Sequence, residues 1–337
     1  MHYKYLGVIF QSNARWDQHF DYIKERVRKK CIMISRLVHF AAPPSALAIR
    51  TIVCSLVHPV ISYGFPVIHF TQSQCNVLNS LVCVPLRRCL ALNSHISQVA
   101  VFLYHKVHDV QGLWNKRAFS FAHRIRRCSP SILSYVATAN YNNKFVDRRR
   151  DPPKYCTAWP LLIPDLEEQY GLDIEAHFTN QNLKVKALSN SLQRFLDRKP
   201  VAPIFSDHSD FDLTPSLPSS FYHDSVVLFS IRSRLALNSS LLAFSLHQRH
   251  LIPSPNCDRC INSVDDLHHR LFDCPRYSLP RADFAARLFM SSCSSFTCRF
   301  KAKLVDACYG IHTKKLIRRV RKALNDFLLR INCFKKL

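Results

Sequence analysis

Glycine is nearly missing from this chain, with five in 337 residues. Those five build neither G-x-G-x-x-G nor G-x-x-x-x-G-K-[ST], so phosphate-cradling nucleotide loops of those kinds are excluded. There is no H-E-x-x-H and no G-x-S-x-G, the signatures of a zinc-protease helix and of a hydrolase nucleophile elbow. Acid is scarce too: 23 Asp and Glu face 47 Lys and Arg, a formal net charge of +24. Such an excess calls for a polyanionic partner, nucleic acid or an anionic membrane surface, with nucleic acid the preferred reading. Met1-His2-Tyr3-Lys4-Tyr5 does not open a secretory leader, because no apolar run follows a charged start. The 14 cysteines are therefore expected in a reducing nuclear or cytoplasmic setting rather than in a disulfide scaffold. Residues 51–70 carry no formal charge over about a membrane span, but Pro59, Gly64 and Pro66 interrupt them and His58 and His69 add polarity. A buried helix followed by a turn is expected there, and no transmembrane segment.

Among what is present, residues 257–274 dominate. Cys257 and Cys260 stand two residues apart, His269 follows after eight, and Cys274 after four more. A C-x2-C turn offers two thiolates to one ion, and His-x4-Cys supplies two further ligands from about one helical turn. We take Cys257, Cys260, His269 and Cys274 as ligands of a structural Zn2+ ion, with His268 as the rival histidine. Four ligands close the coordination sphere and leave no open position for catalysis. Val264-Asp265-Asp266-Leu267 mimics a polymerase aspartate pair, but these acids lie in a short loop between zinc ligands and are expected to hold no catalytic metal. Cys293, Cys298, Cys308 and His312 are spaced too irregularly for a second cluster and read as buried thiols. Asp207, Asp210 and Asp212 sit among Ser, Pro and Phe and read as loop.

Charge divides the chain. Residues 1–150 hold 21 basic residues against 5 acidic, residues 151–230 hold 6 against 11, and residues 299–337 hold 12 against 2. A mainly α fold is expected, in four parts: a helical bundle at 1–130, an irregular Pro-rich acidic region at 131–223, a zinc-knuckle region at 224–298 and a basic helical tail at 299–337. Tyr5-Leu6-Gly7-Val8-Ile9 reads as one short strand entering a turn at Gln11-Ser12-Asn13, with Ser12 or Asn13 capping the helix that follows. In that helix Trp16, Phe20, Ile23, Val27, Cys31, Ile34 and Leu37 recur at three- and four-residue steps. Its other face shows Lys24, Arg28, Lys29 and Lys30. Ser45 is expected to cap a second helix running to about His58, where Pro59 turns the chain. Helices are also read at 72–92 with a kink near Pro85, at 95–127, at 180–198, at 224–248 with Arg232 and Arg234, and from Arg281 to Phe289. From Lys314 onward, Leu316, Val320, Leu324, Phe327, Leu328 and Ile331 form one face, while Lys314, Lys315, Arg318, Arg319, Arg321 and Lys322 crowd the other. These basic groups are the candidate backbone contacts. A basic amphipathic helix of this kind also suits a membrane surface or a protein partner, which is the alternative reading.

Several separated features resemble one family. Tyr5-Leu6-Gly7-Val8 followed by Trp16-x2-His19-x3-Ile23 is similar to the segment just after the palm in reverse transcriptases of non-LTR, LINE-like retrotransposons. Pro59-x-Ile61-x-Tyr63-Gly64-x2-Val67 looks like a later helix and turn of the same thumb. Arg232-x-Arg234-Leu235 ahead of the Cys257–Cys274 motif and Pro275-x-Tyr277 resembles the C-terminal cysteine–histidine knuckle of those reading frames. The resemblance covers both ends of the chain and little of the middle. It implies a C-terminal part of an RNA-directed DNA polymerase: thumb helices that track a template–primer backbone, then a knuckle that engages RNA or DNA. The palm aspartates, fingers and endonuclease would lie before Met1, so this chain is expected to bind nucleic acid without catalysing polymerisation and to take no small-molecule substrate. Ile261 stands where the family usually has glycine after the second cysteine, and a non-functional relic of such an element is a further reading.

Overall fold

The computed structural model describes residues 2–13, 16–37, 44–65, 68, 70–92, 94–127, 159–173, 178–198, 217, 220–260, 262–288, 296–309 and 318–331. Of these, 71% are helical and 4% are in strands, a mainly α fold. Among the described residues, no helix is long and apolar enough to cross a membrane.

The N-terminus forms two strands rather than one. β1 (His2–Tyr5) pairs antiparallel with β2 (Val8–Gln11), Tyr3 opposite Phe10 and Tyr5 opposite Val8. Leu6 and Gly7 make the turn at φ 45° and 85°. Two consecutive left-handed residues match the twist of a tight hairpin, and glycine tolerates that region without strain. The Tyr63 hydroxyl donates to the Leu6 carbonyl at 2.9 Å and pins the turn to the bundle.

Helix α1 (Asp17–Leu37) buries the expected stripe of Phe20, Ile23, Val27, Cys31 and Ile34. Its start lies past the expected caps, and the Gln11 side chain accepts from the Gln18 N–H at 2.9 Å instead. Ser45 does cap α2 (Ala46–Ile52), accepting from the Ala48 N–H at 3.2 Å. The chain then stays helical through a π turn (Val53–Val57) and α3 (His58–Ser62), where a turn at Pro59 was expected. Pro59 comes just after the π turn, the wider winding by which a continuous helical run takes in a residue that lacks an N–H. Thr71 and Gln74 form a reciprocal capping box at the start of α4 (Gln72–Cys89), which continues through Pro85 and packs along α1. The pattern over 95–127 is two helices, α5 (Gln98–His105) and α6 (Val110–Arg127), parted at Lys106 with φ 48°. Asp109 caps α6, accepting from the Gly112 N–H at 2.7 Å.

The middle contributes more structure than its prolines suggest. Helix α7 (Trp159–Tyr170) and α8 (Asn180–Asp197) pack on α6, enclosing Phe119, Ile163, Leu166, Tyr170 and Leu183. Leu188, Leu192 and Phe195 of α8 also enter the main core with α1–α5. Residues 148–153 and the three aspartates at 207, 210 and 212 lie outside the described residues.

A second core joins what the charge pattern divides into knuckle and tail. After α9 (Ser220–His223), α10 (Val226–Ala236) turns Phe229 and Ala236 into the main core and Leu228, Ile231 and Leu235 into the second. The second core adds Leu267 and Leu271 from the knuckle, Phe284 from α12 (Ser278–Arg287), Leu304 from α13 (Cys298–Cys308), and Leu324, Phe327 and Leu328 from α14 (Arg318–Arg330). A short helix, α11 (Ala243–Gln248), leads from α10 towards the knuckle. Rings of Phe284 and Phe327 meet at 5.4 Å.

Arg232 corrects the sequence reading. It was expected to face a nucleic-acid backbone, yet its side chain is 0% exposed and paired with Asp224, itself 3% exposed. Its second amino group donates to Asn325 Oδ1 at 2.7 Å, tying α10 to α14. A guanidinium in a dry interior stays charged, so its environment must supply the counter-charge. Removing one partner strands the other, and Arg232→Met is expected to lower unfolding free energy in urea by about 3–5 kcal/mol. Arg232→Met combined with Asp224→Asn should recover most of that loss. A single variant as stable as the parent chain would refute a buried, paired Arg232.

Candidate metal centre and basic surfaces

Cys257, Cys260, His269 and Cys274 converge, with one ligand atom of each lying within 4.8 Å of the others. Cys274 Sγ is 3.9 Å from Cys257 Sγ and 4.0 Å from Cys260 Sγ. A tetrahedral ion with metal–sulfur bonds of about 2.3 Å holds its sulfurs about 3.8 Å apart. The spacing is that of a Cys3His metal site, and it is the one such cluster among the described residues.

The local backbone explains the convergence. Asn256 and Val264 form an antiparallel bridge, and the Cys257 N–H donates to the Ser263 carbonyl at 2.8 Å, closing the loop that carries Cys260. Asn262, at φ 64°, turns that loop back. The second half is a π turn (His269–Asp273), in which the Cys274 N–H donates to the His269 carbonyl at 2.8 Å. This wide turn swings Cys274 round beside His269. Cys274 and His269 are buried, and Cys257 and Cys260 half-buried.

The choice between the two histidines is decided by their surroundings. His269 is 7% exposed, and its Nε2 is buried without a hydrogen-bond partner. An orphaned ring nitrogen beside three thiols is what a metal ligand looks like without its ion. His268 points the other way, 53% exposed, with Nδ1 3.3 Å from Asp273 Oδ2 and its ring against Phe272. Loss of water, then hydrogen bonding to the neighbouring thiols, pushes the Cys260 thiol up to about 11. Crowded thiols hold their protons until a cation offsets the charge of the thiolates.

Asp265 and Asp266 are occupied with holding the knuckle together. Asp266 Oδ1 accepts from the His269 N–H at 2.7 Å, capping the turn that presents the ligand. Asp265 takes a two-pronged bond from Arg270 at 2.7 and 2.6 Å and accepts from the Ala243 N–H at 2.8 Å. Burial works to raise its carboxyl, but the Arg270 and Ala243 bonds outweigh it and hold the group below the usual carboxylate range. Arg281 donates to the Cys274 carbonyl at 2.6 Å, fastening α12 to the last ligand.

The candidate backbone contacts divide. On α1, Arg28 and Lys29 are exposed and Lys24 and Lys30 half-buried. Lys24 pairs with Asp21 at 3.3 Å, and Glu25 serves both Arg28 at 2.8 Å and Lys29 at 3.6 Å, so this ridge is partly neutralised. On α14, Arg318, Arg319 and Lys322 are exposed and Arg321 half-buried, with the Arg319 Nε–H donating to the Arg287 carbonyl at 2.6 Å. Arg234 is half-buried and donates to the Ala91 carbonyl at 2.8 Å. Arg232 is internal, and Lys314 and Lys315 lie outside the described residues. Of the four residues weighed as a second cluster, Cys298 is exposed and Cys308 buried in the second core, while residues 293 and 312 lie outside the described residues. The sequence reading passed over a group of cations on α2, α6 and α8, because no two of them are neighbours in the chain.

No protein-family model, no curated protein and no solved structure matches this chain. The site is therefore read on its own chemistry. Titration with cobalt(II) should give the visible bands of a tetrahedral thiolate complex in the parent chain and in His268→Ala. Those bands should be lost in Cys274→Ser and His269→Ala. Equal spectra from the two histidine variants would contradict the assignment of His269.

Proposed function

We propose that this chain is a zinc-stabilised nucleic-acid-binding segment, the C-terminal part of an RNA-directed DNA polymerase of the non-LTR retrotransposon kind. The observation that carries this reading is the Cys3His cluster, set beside a small core whose last helix, α14, has a strongly basic start. Three thiolates and one imidazole favour zinc over the oxygen-seeking cations, and four protein ligands make the site structural. The net charge of +24 supplies the electrostatic attraction for phosphates, independent of sequence. With Asp265 and Asp266 engaged by Arg270, Ala243 and His269, neither is available for two-metal phosphoryl transfer, which supports binding rather than polymerisation. The membrane reading is disfavoured by α14 itself, whose Leu324, Phe327 and Leu328 are buried in the second core rather than free for lipid.

The test is anisotropy of a fluorescein-labelled RNA stem and of a DNA duplex across a salt series. Log affinity should fall linearly with log salt, losing about 10³-fold or more between 50 and 200 mM if six or more phosphates are engaged. Purified protein should carry one zinc per chain by mass spectrometry, and Cys257→Ser with Cys260→Ser should release it. Zinc binding should weaken as pH falls, because protons compete for the thiolates and for His269. No binding of either oligonucleotide at the lowest salt would end the nucleic-acid reading.

A further inference from the structure

Away from the knuckle, three helical stripes bring cations and imidazoles onto one face of the bundle. Arg50, Cys54 and His58 lie four residues apart along the continuous run of α2, the π turn and α3. Lys116 sits one turn beyond Gly112 on α6, and Lys184, Ser191 and Arg194 share a face of α8. The helices are in contact: α3 packs on α6 and α6 on α8. At their junction a Cβ added to Gly112 would stand 2.3 Å from Ser191 Oγ and 3.1 Å from His108 Nδ1, so glycine is what lets α6 approach so closely. His108 Nδ1 is 3.1 Å from Ser191 Oγ, and Arg50 is held by the His105 and Lys106 carbonyls at 2.8 and 3.1 Å.

The charge here is unbalanced. Asp109 is the acid at the junction, and it is already taken by Arg194 at 3.1 Å and the Gly112 N–H at 2.7 Å. His58 is 7% exposed with Nε2 unpartnered, and Arg194 Nε is likewise buried without a partner. Half-buried Lys116 is held below the ordinary lysine range by burial first and then by Arg117 and Lys184, while the one opposing influence is the Cys54 thiol. Burial also lowers His58 to about 4, with Lys116 and Arg50 adding to the effect. Like charges gathered on a partly dry floor, with polar hydrogens left over, are costly unless an anion completes them. Lys184 is exposed and half-buried Lys116 lies between it and the buried His58.

We propose that Arg50, His58, His108, Lys116, Lys184 and Arg194 form a second, metal-independent site that takes one phosphate group of a nucleic-acid backbone. The identity of the phosphate's source rests on the reading given under Proposed function; the anion site itself does not. Neutral imidazoles of His58 and His108 can donate N–H bonds while Arg50, Lys116 and Lys184, which no acid among the described residues neutralises there, supply charge. No bond is made or broken.

The experiment uses the full zinc-loaded chain and two substitutions, Lys116→Met, which keeps the buried stem, and Lys184→Gln at the exposed rim. Thermal melts are run with and without inorganic phosphate at constant ionic strength. Phosphate should raise the parent melting temperature, and that shift should shrink in Lys184→Gln and vanish in Lys116→Met. Without phosphate, Lys116→Met should melt at or above the parent temperature, because it removes repulsion; a lysine with a merely structural role would move the other way. In oligonucleotide titrations each variant should reduce the slope of log affinity against log salt by about 1. Unchanged slopes together with an unchanged phosphate shift in both variants would overturn the site while leaving the nucleic-acid reading standing. A phosphate shift lost in Lys116→Met, in a parent chain that binds no oligonucleotide, would keep the anion site and overturn the nucleic-acid source.

Discussion

The pairing of Arg232 with Asp224 and Asn325 is the constraint on which the arrangement of the whole chain depends. α10 is shared between two cores, Phe229 facing one and Leu228, Ile231 and Leu235 the other. An element shared in this way must be fixed in rotation, because a small turn about its axis would take residues out of both cores. A charged group that can be satisfied in only one setting provides that fixity, since every other setting leaves it desolvated and unpaired. Asn325 extends the condition to α14, so the C-terminal helix is set by the same contact. The knuckle then rides on a surface whose orientation to the bundle is defined, with Asp265 reaching back to the Ala243 N–H.

Two solutions to the handling of charge appear in one molecule. Around the metal centre several acids and bases are matched: Arg270 with Asp265, Arg287 with Asp326, and Arg330 with Asp283 at 2.6 Å. Around Lys116 the matching stops. Paired groups stabilise one another, whereas crowded like charges gain from an added anion.

What the sequence made legible follows from distance along the chain. The metal ligands lie within 18 consecutive residues, so spacing alone brought out all four. α1 was legible because its stripe repeats for five turns and depends on nothing remote. The preference for His269 became physical only once burial was known, since both histidines fit the spacing. Arg232 was misread because its partner on α14 stands 93 residues away and its neighbour Arg234 looks the same on paper. α7 was hidden by Pro160 and Pro164, which read as breakers although the first falls at the helix start. The hairpin was taken for one strand because Leu6 is an unusual residue at positive φ, and only Gly7 carried a turn signal. The cationic floor spans Arg50 to Arg194 and has no local signature at all.

The hairpin has a consequence for how the protein behaves in company. Every residue of β1 is exposed, and among the described residues β2 is its sole strand neighbour. Its outer edge therefore carries free backbone donors and acceptors beside the stacked rings of Tyr3 and Tyr5, 6.2 Å apart. A sheet that ends this way is unfinished, and any extended chain of matching register can continue it. Lys4 is held over the Tyr22 ring at 4.6 Å and donates to its hydroxyl at 3.4 Å, so its charge is anchored to α1 rather than left to guard the edge.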